Sequence, residues 1–88
     1  MSITPETCRA ARSLLNWTSR QVARVAQVGE ATVQRFERGD VATHPATVLA
    51  IRLALEEAGV QFIAENGGGP GVRLRHRLSR FHEMKSPE

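Results

Sequence analysis

The chain has 88 residues, 41% of them hydrophobic, and a formal net charge of +3, enough for one small domain and too little for two separate cores. No apolar run is long enough to span a bilayer, no basic start leading into an apolar stretch marks a secretory signal, and the single cysteine, Cys8, leaves no internal disulfide. Neither a membrane-spanning helix nor a disulfide scaffold is expected, and the reading is of a cytoplasmic protein in a reducing compartment.

The first predicted helix is announced by Thr4-Pro5, a good N-cap followed by a proline at the first helical position. Cys8, Ala11 and Leu15 follow at helical spacing, with Leu14 beside them and Arg9 and Arg12 off the stripe. Asn16-Trp17 ends this helix, and Trp17 reads as a plug between helices. Thr18 opens the second helix. With Gln21 three residues on it fits a capping box, and Val22, Ala23 and Ala26 form a short apolar face. Gln27-Val28-Gly29 breaks the pattern, with Gly29 suited to cap a new helix or to take an unusual backbone angle.

The third helix is predicted over 30–38, with Val33 and Phe36 facing inward and Gly39 as its C-terminal stop. After a loop from Asp40 to His44, Pro45 restarts a helix that runs to Gly59. Val48, Leu49, Ile51, Leu53, Leu55 and Ala58 make it apolar on most sides, and Arg52 and Glu56, at i and i+4, are expected to mark its narrow exposed stripe. Such a helix belongs in a core or a dimer interface. Two strands follow, at 60–63 and 72–75, joined through the glycine-rich turn at 66–71. A lone two-stranded hairpin is weak in water, so it must pack on the helices or pair with another chain. Residues 76–88 are expected to form a short helix or a disordered basic tail.

Charge is unevenly spread. Residues 1–39 carry six Arg against three Glu, residues 40–69 one Arg against three Glu and one Asp, and residues 70–88 four Arg and one Lys against two Glu. Two basic segments therefore flank an acidic middle, a distribution that suits a polyanionic partner if the fold brings both to one side. An ordinary solvated surface is the plainer reading of the same charges, and for Arg73, Arg75, Arg77 and Arg80 a charged edge that deters strand pairing stands beside DNA contact.

Two short helices joined by a tight turn within a four-helix unit form the DNA-reading arrangement of many repressors. The second helix must be slim enough for a major groove about 12 Å wide, and Ala23, Val28 and Val33 are small enough for the two backbones to approach. The stretch from Arg12 to Gly39 resembles the Xre family of phage-repressor and Cro-like regulators, through Thr18, Val22-Ala23, Val28, Thr32-Val33 and the run Arg35-Phe36-Glu37-Arg38-Gly39. Pro45 and the leucine-rich helix after it are similar to that family's fourth helix, and the hairpin looks like that of its short bacterial members. The sequence departs from the family at Ser19, where Gln is usual, at Gln27, where Gly is usual, and at Gly29, where Ser or Thr is usual.

The resemblance implies a mainly α fold, a four-helix phage-repressor-like helix-turn-helix domain (1–59, its motif spanning Thr18 to Gly39) followed by a C-terminal β-hairpin (60–75) and the basic tail (76–88). It implies that Glu30, Ala31, Thr32, Gln34 and Arg35 face base edges, with Arg35 suited to guanine and Glu30 to a cytosine amine. Thr18, Ser19, Arg20 and Arg38 are then expected at phosphates. Arg12 and Glu37 match a pair that forms an internal ion bridge. The implied protein is a nucleoid-associated regulator, a repressor or autoregulator, that binds an inverted-repeat operator in double-stranded DNA as a homodimer. The fourth helix and the hairpin are the expected dimer surfaces, with Val60, Phe62, Val72 and Leu74 as candidates.

No cofactor is implied. Cys8, His44, His76 and His82 lack zinc-finger spacing, the glycine-rich turn lacks the Lys-Ser/Thr ending of a P-loop, and no paired carboxylates or nucleophile and base suggest an enzyme. Two other functions fit the same pattern: a protein-interaction module such as an antitoxin, in which the hairpin captures another protein, and an architectural factor that bends DNA.

Overall fold

The computed structural model of the chain describes residues 3–39 and 43–75. The expectations for the tail, including Arg77, Arg80, His76 and His82, and for Asp40 within the loop lie outside the described residues. Four helices come first, α1 (Pro5–Leu15), α2 (Ser19–Ala26), α3 (Glu30–Arg38) and α4 (Pro45–Glu57), then two strands, β1 (Val60–Ile63) and β2 (Gly71–Leu74). No helix among the described residues is long and apolar enough to cross a membrane.

Local chemistry sets the helix boundaries. Thr4 caps α1: its Oγ1 accepts from the Thr7 backbone N–H at 3.1 Å, and the Thr4 N–H donates to Thr7 Oγ1 at 3.0 Å. Thr18 and Gln21 repeat this device at the start of α2, at 3.1 and 2.7 Å. Each of these reciprocal pairs satisfies two backbone donors that a helix start would otherwise leave unpaired. Both helices end on a left-handed residue, Asn16 at φ 60° and Gln27 at φ 61°. Gln27 sits where a glycine would be unstrained, at a steric cost of about 1 kcal/mol. Gly29 precedes α3 in ordinary extended geometry and offers no side-chain cap. His44 caps α4, its Nδ1 accepting from the Ala46 N–H at 3.0 Å.

The strands pair antiparallel, with Val60 opposite Leu74 and Phe62 opposite Val72. β2 begins and ends one residue earlier than the alternation predicted. Arg75 still donates its backbone N–H to the Gly59 carbonyl at 2.7 Å, but Gly59, at φ 115°, turns the chain out of the ladder there.

Cys8, Val22, Val33, Ile51, Leu55 and Val60 are fully buried at the centre of the core. α2 lies between α3 and α4 and packs on both, while α1 packs on α3, α4 and both strands. α3 leans on α1 and α2 and has at most marginal contact with α4 and the hairpin. It therefore forms one edge of the molecule.

Two expectations need correction. Val60 and Phe62, expected from sequence as dimer contacts, are 1% and 9% exposed and belong to the helices' own core, with Val72 and Leu74 packed against it. The weak hairpin thus packs on this chain's own helices, with Val72 and Leu74 half-buried against them. On α4, Arg52 and Glu56 do not mark the exposed stripe. They lie half-buried and pair at 2.9 Å, while Leu49 and Leu53 face outward, 49% and 52% exposed. Mutual neutralisation lets the ion pair sit against the protein, which turns a leucine row to solvent.

Candidate functional site

α3 presents its outer side between two charged clusters. Val33, Phe36 and Glu37 point into the molecule, whereas Ala31, Gln34, Arg35 and Arg38 are exposed and Glu30 and Thr32 half-buried. Of the residues expected at base edges, Glu30, Ala31, Gln34 and Arg35 share one side of α3 with Arg38, with a methyl group, Ala31, near its tip and two arginines towards its C-terminal end, whereas Thr32 lies half-buried to the side of it.

The C-terminal cluster is buried. Arg12 Nε and Nη2 donate to Glu37 Oε2 and Oε1, both at 2.8 Å, and Arg12 Nη1 donates to the Trp17 carbonyl at 3.1 Å. The Cys8 thiol donates to Glu37 Oε2 at 3.0 Å, and Arg9 donates to the Glu37 backbone carbonyl. Arg12 and Glu37 side chains are 24% and 7% exposed. Burial alone would raise the Glu37 carboxyl, but the bonds from Arg12 and Cys8 outweigh it and hold the group below its ordinary range. The bond to Glu37 in turn raises Arg12, and burial, followed by the Glu37 carboxylate, pushes the Cys8 thiol well up. Cys8 is thus a neutral donor that completes the cluster. The Arg12–Glu37 bridge implied by the resemblance is present, and it locks α1 to the end of α3.

The N-terminal cluster is open. Glu30 Oε2 accepts from Ser19 Oγ at 3.4 Å and from Gln34 Nε2 at 3.4 Å, while Oε1 accepts from Arg20 Nε at 3.5 Å. All three bonds are near the outer limit for a hydrogen bond, and the Arg20 and Glu30 side chains are 73% and 38% exposed. Thr18 spends its hydroxyl acceptor on the α2 cap. The start of α2 and the start of α3 are therefore joined through one shared carboxylate.

A shallow groove runs between the two clusters, bordered by Arg9, Ser19, Gln34 and Arg38, with Pro5 and Glu6 also lining it. It brings Ser19, Gln34 and Arg38 together on one surface. Arg9 was not among the expected contact residues. The one hint of it in the sequence is its spacing from Arg12, i and i+3 and off the apolar stripe. The hairpin arginines point elsewhere: Arg73 Nε donates to Gln61 Oε1 at 3.0 Å and Arg75 Nη2 to the Glu56 carbonyl at 2.7 Å. Among the described residues no three His, Cys, Asp or Glu side chains gather where a metal could sit. No family model matches the chain, and no curated protein matches it in sequence.

Proposed function

We propose that the chain binds double-stranded DNA as a transcriptional regulator, with α2 and α3 acting as a helix-turn-helix and α3 entering the major groove. The observation that carries this reading is the position of α3. It is braced from behind by α1 and α2, it has at most marginal contact with α4 and the two strands, and Ala31, Gln34, Arg35 and Arg38 are exposed on its outer side. An α-helix with side chains is about 10–12 Å across, which matches a major groove about 12 Å wide.

In this reading Arg35 reaches a guanine edge with two hydrogen bonds, and Ala31 lets the helix approach the bases closely. Ser19, Arg20 and Arg38 meet phosphates on either side, joined by Arg9 from the groove. These contacts position the helix, and the bases specify the site. One such module makes few base contacts, so two copies on an inverted repeat supply specificity, with half-site centres about 34 Å apart.

Selection of bound sites from random double-stranded DNA, followed by footprinting, tests the proposal. The expected result is an enriched symmetric motif and protection that weakens steeply with salt. A pool that shows no enrichment, with no retained DNA at low salt, overturns it and favours the protein-interaction module.

A further inference from the structure

The connection between β1 and β2 takes no part in the DNA reading. Its ends are fixed. Ile63 pairs with Gly71 across the ladder, and Glu65 and Pro70 line a hollow with Ile3, Thr4 and Thr7 at the start of α1. Its tip stands clear of the molecule. Asn66, Gly67 and Gly68 are exposed, and a methyl group added at Gly67, Gly68 or Gly69 would meet nothing within 4 Å. Among the described residues neither Asn66 nor the Gly67 N–H has a hydrogen-bond partner.

An asparagine side chain can be attacked by the backbone nitrogen of the next residue, which closes a five-membered ring. Folded chains suppress this reaction in three ways: a side chain on the next residue blocks the approach, a hydrogen bond holds the next N–H, or regular structure locks the backbone. None of the three operates at Asn66-Gly67. Gly67 has no Cβ and stands at φ 100°, in a region that glycine enters without strain, and the tip lies outside both strands.

We propose that Asn66 is a site of spontaneous deamidation in the folded protein. The Gly67 nitrogen gives up its proton to hydroxide and attacks Asn66 Cγ. The N–Cγ bond forms as the Cγ–Nδ2 bond breaks, and Nδ2 takes a proton from water and leaves as ammonia. Water then opens the ring at either carbonyl. Opening at Cγ gives aspartate. Opening at the Asn66 backbone carbonyl gives isoaspartate, with the main chain rerouted through Cβ and Cγ and one methylene longer. The sum is one water consumed and one ammonia released, with no oxidant or reductant. Either product sets a second carboxylate beside Glu65 and lowers the chain's net charge of +3 by one. The open tip accommodates the extra methylene, so conversion proceeds without unfolding and the converted fraction records the age of the molecule.

Asn16 supplies the contrast. It ends α1 at φ 60°, and the next N–H, of Trp17, donates to the Arg12 carbonyl at 2.9 Å. The attacking nitrogen is thus engaged and its residue carries an indole, so reaction there waits for the end of α1 to open. A turn without hydrogen bonds opens at almost no cost, whereas a packed, hydrogen-bonded element must first be opened against its own stability. α3 has at most marginal contact with the hairpin, so the modification leaves the proposed DNA face unchanged and does not depend on that reading.

Mass spectrometry of tryptic peptides tests it, with the full chain incubated at neutral and mildly alkaline pH, folded and in urea, and digested briefly below neutral pH. Peptide 53–73 carries Asn66 and peptide 13–20 carries Asn16. In the folded chain 53–73 should gain one dalton, split into aspartate and isoaspartate forms, and convert faster as pH rises. Its rate should lie within a factor of two of the rate in urea, because the turn opens freely. Peptide 13–20 should stay unchanged in the folded chain over the same time. Asn66→Gln, whose longer side chain must close a six-membered ring, should keep its circular dichroism and slow the conversion by an order of magnitude or more. A peptide 53–73 that converts in urea but not in the folded chain overturns the proposal, as does a mass gain that persists unchanged in Asn66→Gln or one that falls first on Asn16.

Discussion

At the C-terminal end of α3, Glu37 meets Arg12 through two 2.8 Å bonds with 7% of its side chain exposed. At the N-terminal end, Glu30 meets Ser19, Arg20 and Gln34 at 3.4, 3.5 and 3.4 Å with 38% exposed. The residue types are nearly the same and the consequences differ. A buried carboxylate has no water to fall back on, so its partners become obligatory. An exposed carboxylate gains little from each partner and exchanges them readily. One cluster therefore fixes where α3 sits, and the other is available to whatever α3 meets.

The sharpest way to break this contrast is Arg12→Ala. It strips the buried Glu37 of its two shortest bonds and leaves only the Cys8 thiol on the carboxylate. The expected loss is about 3–5 kcal/mol of unfolding free energy in urea titration, a large share of what a small domain has. A loss below about 1 kcal/mol, the range of exposed pairs, would erase the distinction between the two ends. Acid should reproduce part of the effect. The folded-state Glu37 carboxyl lies below its ordinary value of 4.5, so the unfolded chain takes up the proton first as pH falls. The contribution is complete above about pH 4.5 and drains away as pH drops through the lower, folded value. Stability measured against pH should show this loss in the wild-type chain and a flatter acid limb in Glu37→Gln.

Arg35→Ala comes next and probes the face between the clusters. Discrimination at one base pair should fall by about 1–3 kcal/mol in competition binding, with thermal stability unchanged. Arg38→Ala should instead weaken all sequences alike and lower the salt slope by about 1. An Arg35→Ala chain with unaltered base preference would remove Arg35 from the reading face and leave only backbone contacts there. Smaller again is Gln27→Gly, in the turn before α3. It should raise stability by about 0.5–1 kcal/mol, because glycine takes the left-handed angle without strain. No gain in a thermal melt would mean that the turn is not strained.

How far these features can be read from the sequence depends on the range of the interactions. The caps at Thr4 and Thr18, the left-handed break at Gln27 and the proline start of α4 involve neighbours three or four residues apart, and spacing alone locates them. The Arg12–Glu37 bridge spans 25 residues and is reachable only through family resemblance. Its third member, Cys8, looks like one more apolar residue on the α1 stripe. α4 misleads for another reason. An almost all-round apolar helix has no periodicity that says which side is covered, so the charged pair Arg52 and Glu56 reads as the solvent side. The hairpin has two physically sound partners, its own helices or another chain, and nothing local chooses between them.

The smallest expected effect on stability, and the most direct probe of the exposed cluster, comes from Glu30→Gln. Removing the charge should change stability by no more than about 0.5 kcal/mol, because each bond is long and solvent competes for it. Binding should respond more. On the DNA reading, a phosphate arriving at Ser19 and Arg20 competes with the Glu30 carboxylate for them, and that carboxylate repels the DNA backbone unless it finds a donor such as a cytosine amine. With Gln at this position Arg20 has no competing anion, so affinity for random-sequence DNA should rise and the salt slope steepen by about 1. Preference for the selected site should fall at the same time, since the penalty on misplaced phosphates is gone. If both affinities rise equally, Glu30 acts through net charge alone. A fall in affinity for random DNA would mean that the carboxylate orients Arg20 for its phosphate, and the exposed end of α3 would then depend on its partners as strictly as the buried end does.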